Sequence, residues 1–378
     1  MATPVVLVVG LHSTARSATV DHLLAAHPGA VAVHHDLRVV SSGRVERTVR
    51  DASGVLERAE VRLAHGCVSC TVREDLVPEL IRRAAAAPLL VVDLWDSVEP
   101  RTVAEALDAG EVRAALRLTC VATALHTEHL PIDIARGERM SETGQGATGD
   151  QRYLAEVLAR QVEYATALIL HGGDEEDHDL SRALLSHLAP ATPVFAAEPP
   201  DVTGPALCTR MLAERVDPAT AVLPCDARDG EVTTVVWHRL RPLHPGRLYE
   251  ALDELVTQTV RSRGRFWLAT RHERLLGWDA VAGGMSVQDA GPWLAALPEA
   301  AWDLVSPARR AAAALDWTSH FGDRVQHLVF VGPDLDRERI HGLLDSCLLT
   351  PDETVAGSSA WARYEDPFAP LLDLQEIT

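Results

Sequence analysis

No stretch of this sequence stays apolar for the eighteen or so residues that a membrane-spanning helix needs. The opening "MATPVVLVVGLH" has no basic segment ahead of its apolar one, so a signal peptide is not expected either. Cysteine is scarce: six in 378 residues do not make a disulfide framework, and reduced thiols in a cytoplasmic protein are the expectation. Positive charge is in deficit. With 35 basic against 54 acidic side chains the net charge is −19, which argues against non-specific nucleic-acid binding by the whole surface but leaves room for a local basic patch. No Ser-His-Asp nucleophile elbow is found. What remains is a chain that is 47% hydrophobic, rich in Val, Leu and Ala, and long enough for two domains with cores of their own.

The first half alternates short β-rich runs with helical patterns. "PVVLVVG" (4–10), "AVAVHHD", "LLVVDLW" (89–95), "LRLTCVATA" and "ALILHGG" (167–173) predict strands, and the continuous apolar run of the first suits a central strand covered on both faces. "SATVDHLLAAHP", "REDLVPELIRRAAAA" and "QRYLAEVLARQVEYAT" predict helices between them. The alternation implies an α/β fold with a doubly wound, mostly parallel sheet, with ligands at the carboxyl ends of its strands. Segment 137–150, polar and glycine-rich, is expected to be a mobile loop. Turn residues in "LPCDARDGE" (223–231) mark a boundary, giving domains over 1–224 and 225–378, the second a smaller α+β unit.

"GLHSTARS" (10–17) has the spacing of a phosphate-binding loop, G-x-x-x-x-G-K-[ST], between a predicted strand and helix. Gly10 opens it and Ser17 closes it, but Ala15 stands in the place of the second glycine and Arg16 in the place of the lysine. Residues with Cβ atoms resist the positive φ that lets backbone N–H groups converge on phosphate. Arginine, bulky and planar, does not replace a compact ammonium. Ser17 retains the hydroxyl that would ligate Mg²⁺. The loop is expected to be a relic with at most residual affinity for an anion, and GTP with Mg²⁺ is not an expected ligand.

"HGCVSCTVREDL" (65–76) is the most specific segment. Cys67 and Cys70 are spaced C-x-x-C with His65 beside them and a helix expected from about Thr71. Two thiolates at that spacing supply half of a tetrahedral zinc site, to which His65 adds a third donor; a redox pair or inert thiols are the alternatives.

These residues resemble the Gly-Cys-x-Cys-Cys-Thr-x-Arg-x-Asp-Leu segment of the CobW-type metallochaperone GTPases, and other landmarks follow in order. "VVGLHSTARS" resembles their phosphate loop. "VVDLWDSVEP" (91–100) is similar to their Glu-x-[Ser/Thr]-Gly-x-x-[Asp/Glu]-Pro, with Asp93 for the glutamate and Asp96 for the glycine. "RQVEYATALILHGGD" (160–174) resembles the run ending in Asn-Lys-x-Asp, of which only Asp174 survives. "LRPLHPGRLYEAL", "RSRGRFWLATRHERLLGWDAVAGG" and "FGDRVQHLVFVGPDLDRERIHGLLDSCLL" resemble the CobW C-terminal domain. Serine at 69 replaces the middle cysteine. The resemblance implies a P-loop NTPase-like first domain that has lost most nucleotide motifs, with little or no enzymatic activity, and a weak zinc site.

"HGCVSC", the Arg-Gly-Arg-x-Trp-Leu-Ala run and the terminal Tyr364, Asp366, Pro367 and Phe368 resemble an actinobacterial branch of the family that includes mycobacterial protein Y recruitment factors. That resemblance implies a role in ribosome hibernation under zinc limitation, with a hibernation-promoting protein and the small subunit as partners. The alternative within the family is a zinc metallochaperone GTPase.

Arginines from Arg239 to Arg274, with Arg261, Arg263 and Arg265 at their centre, are interleaved with Trp237, Phe266, Trp267 and Trp278, a pattern that suits contact with rRNA or with a protein partner. The plainer expectation is aromatics in the core and arginines paired with the acidic excess. His34, His35 and Asp36 follow a strand, and "GDEEDHD" (173–179) is an acidic run; a solvated surface is expected for both.

Overall fold

All seven residues of β1 (Thr3–Val9) are buried, which fixes it as the centre of a sheet covered on both faces. The computed structural model describes residues 2–372 and divides into two compact units, Met1–Ala213 and Glu214–Thr378. The division expected after residue 224 lies further along, within the second unit.

The first unit also contains β2 (Val31–Asp36), β3 (Arg44–Asp51), β4 (Gly54–Arg62), β5 (Leu90–Asp93), β6 (Leu116–His126), β7 (Ala167–His171) and β8 (Val194–Ala196). The spatial order is β4-β3-β2-β5-β1-β6-β7-β8. Strands β2 to β8 in that order run parallel, as the alternating pattern requires. The β3–β4 hairpin, absent from the sequence expectation, pairs antiparallel at one edge. Charged residues interrupt both strands, β4 is largely exposed and β3 fully buries only Val45 and Val49, so they lack the apolar run that marks the others. From β1 the chain crosses to β2 on one side and later places β6 on the other, so the order reverses beside β1, where such sheets bind ligands.

Helix α1 (Ser13–Ala26) turns Ala15, Val20, Leu23 and Leu24 onto Val6, Val8, Val91, Ala122 and Ile169 of the sheet. Full burial of such a Val or Leu side chain contributes about 1.5–3 kcal/mol. The remaining named helices of this unit are α2 (Val77–Ala84), α3 (Pro100–Leu107), α4 (Leu154–Tyr164) and α5 (Glu175–Leu188). Segment 137–150 differs from the mobile loop expected: Met140 is fully buried and the Gln145 side-chain amide donates to the Leu11 carbonyl at 3.0 Å, so the segment is tied to the loop after β1.

The second unit is an antiparallel sheet in the order β13-β12-β11-β14-β10-β9. Its strands are β9 (Ala227–Asp229), β10 (Val232–Arg239), β11 (Arg261–Phe266), β12 (Arg274–Val281), β13 (Gly284–Pro292) and β14 (Gln326–Pro333). Helices α6 (Pro245–Thr257) and α8 (Arg337–Cys347) cover one face, placing Leu248, Leu255, Ile340 and Leu344 on Trp237, Phe266, Trp278 and Phe330. Helix α7 (Pro307–Asp316) ends at an aspartate that the strands use. Among the described residues no helix is long and apolar enough to cross a membrane.

Candidate functional site

The loop after β1 is shorter than its spacing suggests. Helix α1 begins at Ser13, so Ser13, Thr14, Ala15 and Arg16 form its first turn rather than a loop around phosphates. Gly10 has φ +144°, and a Cβ there would lie 2.2 Å from the Ala124 carbonyl oxygen, so glycine is required where the loop crosses β6. Ala15 is buried in the core.

Arg16 is 2% exposed, and its guanidinium turns inward. Nη1 donates to the Gly10 carbonyl at 2.6 Å, Nε to Asp93 Oδ1 at 3.0 Å, and Nη2 pairs with Asp96 Oδ1 at 2.7 Å. Burial pushes the Asp96 carboxyl above its ordinary pKa, against the pull of Arg16. The cation in the lysine position is thus held by the carboxylates that replace the family's glutamate and glycine. Ser17 is exposed and lines a surface depression with Asp21, His34, Thr48, Arg50 and Asp93.

At the end of β7 the base-recognition positions have other partners. His171 Nε2 lies 2.7 Å from Thr19 Oγ1, and burial, with His126 and His22 nearby, lowers its pKa. Asp174 caps α5: its carboxylate accepts from the Asp177 N–H at 3.1 Å, and Asp177 returns a bond to the Asp174 N–H. All 35 basic residues are arginine, and the chain has neither lysine nor asparagine.

The cysteine segment starts its helix earlier than expected. An α turn (Val68–Thr71), a π turn (Val72–Leu76) and α2 follow one another without a break. Such π turns recur at functional sites. Cys67 is exposed at the N-cap and its Sγ accepts from the Cys70 N–H at 3.4 Å. Cys70 is buried, 3.7 Å from Arg73 Nη2. The Cys67 sulfur beside it, and then desolvation, push the Cys70 thiol up. Glu74 completes the surroundings: its carboxylate accepts from the Ala64 N–H at 2.9 Å, which, with Arg73 and the Cys70 thiol, holds its pKa down. His65 and Ser69 are exposed.

Asp75, inside the π turn, anchors the segment. Burial works against its charge, but His35 Nε2 at 2.6 Å and Arg47 Nη1 at 2.6 Å outweigh that and hold its pKa below the usual carboxylate range. His35 is therefore buried and paired rather than solvated. His34 bonds the Asp93 carbonyl at 2.8 Å, and Asp36 pairs with Arg38.

Sequence reasoning missed a second gathering of donors. Among the described residues one group of three metal-ligating side chains has its ligand atoms within 4.8 Å of one another, and it is His126, Glu128 and His129, not His65 with the two cysteines. The signal was present in "HTEH" (126–129), two histidines three apart at a strand end.

In the second unit Arg261 and Arg265 are buried in β11. Arg261 pairs with Asp279 at 2.5 Å and Arg265 with Asp316 at 2.6 Å, so neither guanidinium is presented to solvent. Arg263 is half-buried on the same strand. Trp237, Phe266, Trp267 and Trp278 are core residues.

Known proteins place this arrangement. Residues 29–194 match the CobW/HypB/UreG nucleotide-binding domain and residues 232–348 the cobalamin synthesis protein CobW C-terminal domain. The first match begins beyond the Gly10–Ser17 loop. The chain is 32% identical to the Mycobacterium tuberculosis protein named zinc chaperone Rv0106, over 97% of this chain and 93% of that one. It is 24% identical to zinc-regulated GTPase metalloprotein activator 1 of Dictyostelium discoideum, over 91% and 77% respectively. Among solved structures it is similar to the Zn(II)-bound YjiA GTPase from E. coli at 15% identity and a TM-score of 0.37, covering 92% of this chain and 100% of that one.

Proposed function

The chain belongs to the CobW/HypB/UreG family, and from that premise we propose that it is a zinc metallochaperone that handles the metal at Cys67 and Cys70 without turning over GTP. The pairing of the two sulfurs carries this reading: Cys67 lies exposed at a helix N-cap and Cys70 directly behind it, with the Glu74 carboxylate alongside. Two sulfurs, with a carboxylate beside Cys70, would have to close in around a metal, and so few donors leave it open to be passed on, whereas a closed four-donor site would retain it. Serine at 69 removes a thiolate and favours weak, exchangeable binding. The relative named as a zinc chaperone supports zinc as the cargo.

For nucleotide the support points the other way. The cation that would meet a terminal phosphate is tied to Asp93 and Asp96, helix α1 takes up the residues that would wrap it, and Asp174 serves as a helix cap. The scaffold is kept and its phosphate chemistry is not. A chelator-competition titration with zinc tests the metal assignment: the Cys67→Ser/Cys70→Ser double variant is expected to weaken the tightest site by at least about tenfold. An unchanged affinity would remove the cysteines from the site.

The finer role, recruiting a hibernation-promoting protein to the small ribosomal subunit when zinc is short, is supported by the sequence resemblance of "HGCVSC" and "RGRFWLA". With Arg261 and Arg265 engaged internally, docking would use other residues. Sucrose gradients of zinc-starved and zinc-replete lysates test it. Zinc-dependent co-migration with small subunits is the expected result, and retention at the top of both gradients contradicts it.

A further inference from the structure

Strand β6 ends at His126 and the chain turns back at once, the His129 N–H donating to the His126 carbonyl at 3.1 Å. The turn brings the two imidazoles to a centroid separation of 4.7 Å, and one ligand atom each from His126, Glu128 and His129 lies within 4.8 Å of the other two. The site stands beside β1, where the strand order reverses and a ligand is expected.

Three further features look built for a cation rather than left by chance. His126 Nδ1 is buried with no hydrogen-bond partner, and Glu128 Oε2 is 3.8 Å away. A polar atom in that state costs free energy that a bound metal would recover. Gly172 makes room for the ring: with φ +67°, its Cβ would come within 2.6 Å of His126 Cε1. His12, from the loop after β1, stacks on His129 with centroids 4.7 Å apart, and its Nε2 meets buried Asp133 at 2.7 Å. The Asp133 carboxylate accepts from His12 Nε2–H, which fixes the orientation of the His12 ring beside the turn.

We propose that His126, Glu128 and His129 form a second metal site, for a borderline divalent cation such as zinc, at the mouth of the former phosphate loop. Two imidazole nitrogens and a carboxylate oxygen suit zinc and leave one position open. Ligand atoms around zinc lie about 3.3 Å apart, given bonds near 2.0–2.1 Å, so the donors must close in. Glu128 and His129 are exposed and free to swing toward the half-buried His126. The site is independent of the cysteine pair, because its donors are nitrogen and oxygen and come from a different part of the sheet.

The test uses the full chain carrying Cys67→Ser and Cys70→Ser, titrated with Co²⁺ and with Zn²⁺. One equivalent of cobalt should bind and give a visible d–d band without sulfur-to-cobalt charge transfer. Adding His129→Ala or Glu128→Gln, both at exposed positions, should weaken binding at least about tenfold with thermal melting unchanged. If the double-serine protein takes up no metal, or if both added variants bind as it does, the site is refuted. Either failure leaves the cysteine assignment standing, since the loss between wild type and the double-serine protein measures that separately.

Discussion

Arg16 is held inside the fold rather than presented to solvent. Its guanidinium reaches Asp93, Asp96 and the Gly10 carbonyl from a position where a lysine would point at phosphate. Removing one partner of a buried ion pair costs about 3–5 kcal/mol, because the remaining charge is left unpaired. Arg16→Ala should therefore lose stability of that order at pH 7.5. The pH dependence follows from Asp96, whose folded pKa lies above its ordinary value. The native state then keeps a proton that the unfolded state has released, so this group's contribution is largest at low pH and falls as pH rises through the folded pKa. Without Arg16 the carboxyl moves higher still, and the deficit should shrink at pH 5. Denaturant unfolding at the two pH values checks this; a small, pH-independent deficit would mean that the pairing is incidental. The substitution was legible in "GLHSTARS", but its partners were not, since 77 residues separate Arg16 from Asp93. The same limit hid the burial of Arg261 and Arg265, whose aspartates come from β12 and α7.

Among the elements, β1, β2, β5, β6 and β7 and helices α1, α2 and α4 were legible because each is an apolar run or a periodic pattern. The three-residue β8, helix α3 and the acidic start of α5 were not. Nor was the β3–β4 hairpin, whose apolar residues are interrupted by charge and whose outer strand β4 is largely exposed. Helix α1 was expected from Ser17 but starts at Ser13, because no second glycine holds the loop open. The histidine turn at 126–129 escaped because its meaning depends on His12, brought to it by the sheet. In the second unit, register places Arg265, His327 and His238 side by side across β11, β14 and β10, with Asp316 bridging Arg265 and His238. Burial, with Arg265 and His238 adding to it, pushes the His327 pKa down to about 4, against the pull of Asp316. Its unfolded form binds a proton that the native form refuses, so stability rises with pH through this window and is lost as pH falls from about 6.5 toward 4. The loss attributable to this residue is of the order of 3 kcal/mol. His327→Leu should flatten the acid limb of the second unit's unfolding curve; an unchanged limb would place the acid sensitivity elsewhere.

Across the whole molecule, both family domains are present, and the proposal is that the scaffold serves zinc without GTP turnover. Both family domains match, yet the chain contains no lysine for a phosphate loop and no asparagine for guanine recognition. Beside β1 lie an arginine tied to two aspartates and a turn of histidines. The direct test is zinc affinity of the full chain measured by chelator competition with and without millimolar GTP and Mg²⁺, in wild type and in the Cys67→Ser/Cys70→Ser variant. Zinc binding that depends on the cysteines and does not change with nucleotide is the predicted result. Saturable GTP binding that shifts zinc affinity, or zinc binding indifferent to the two cysteines, would contradict it.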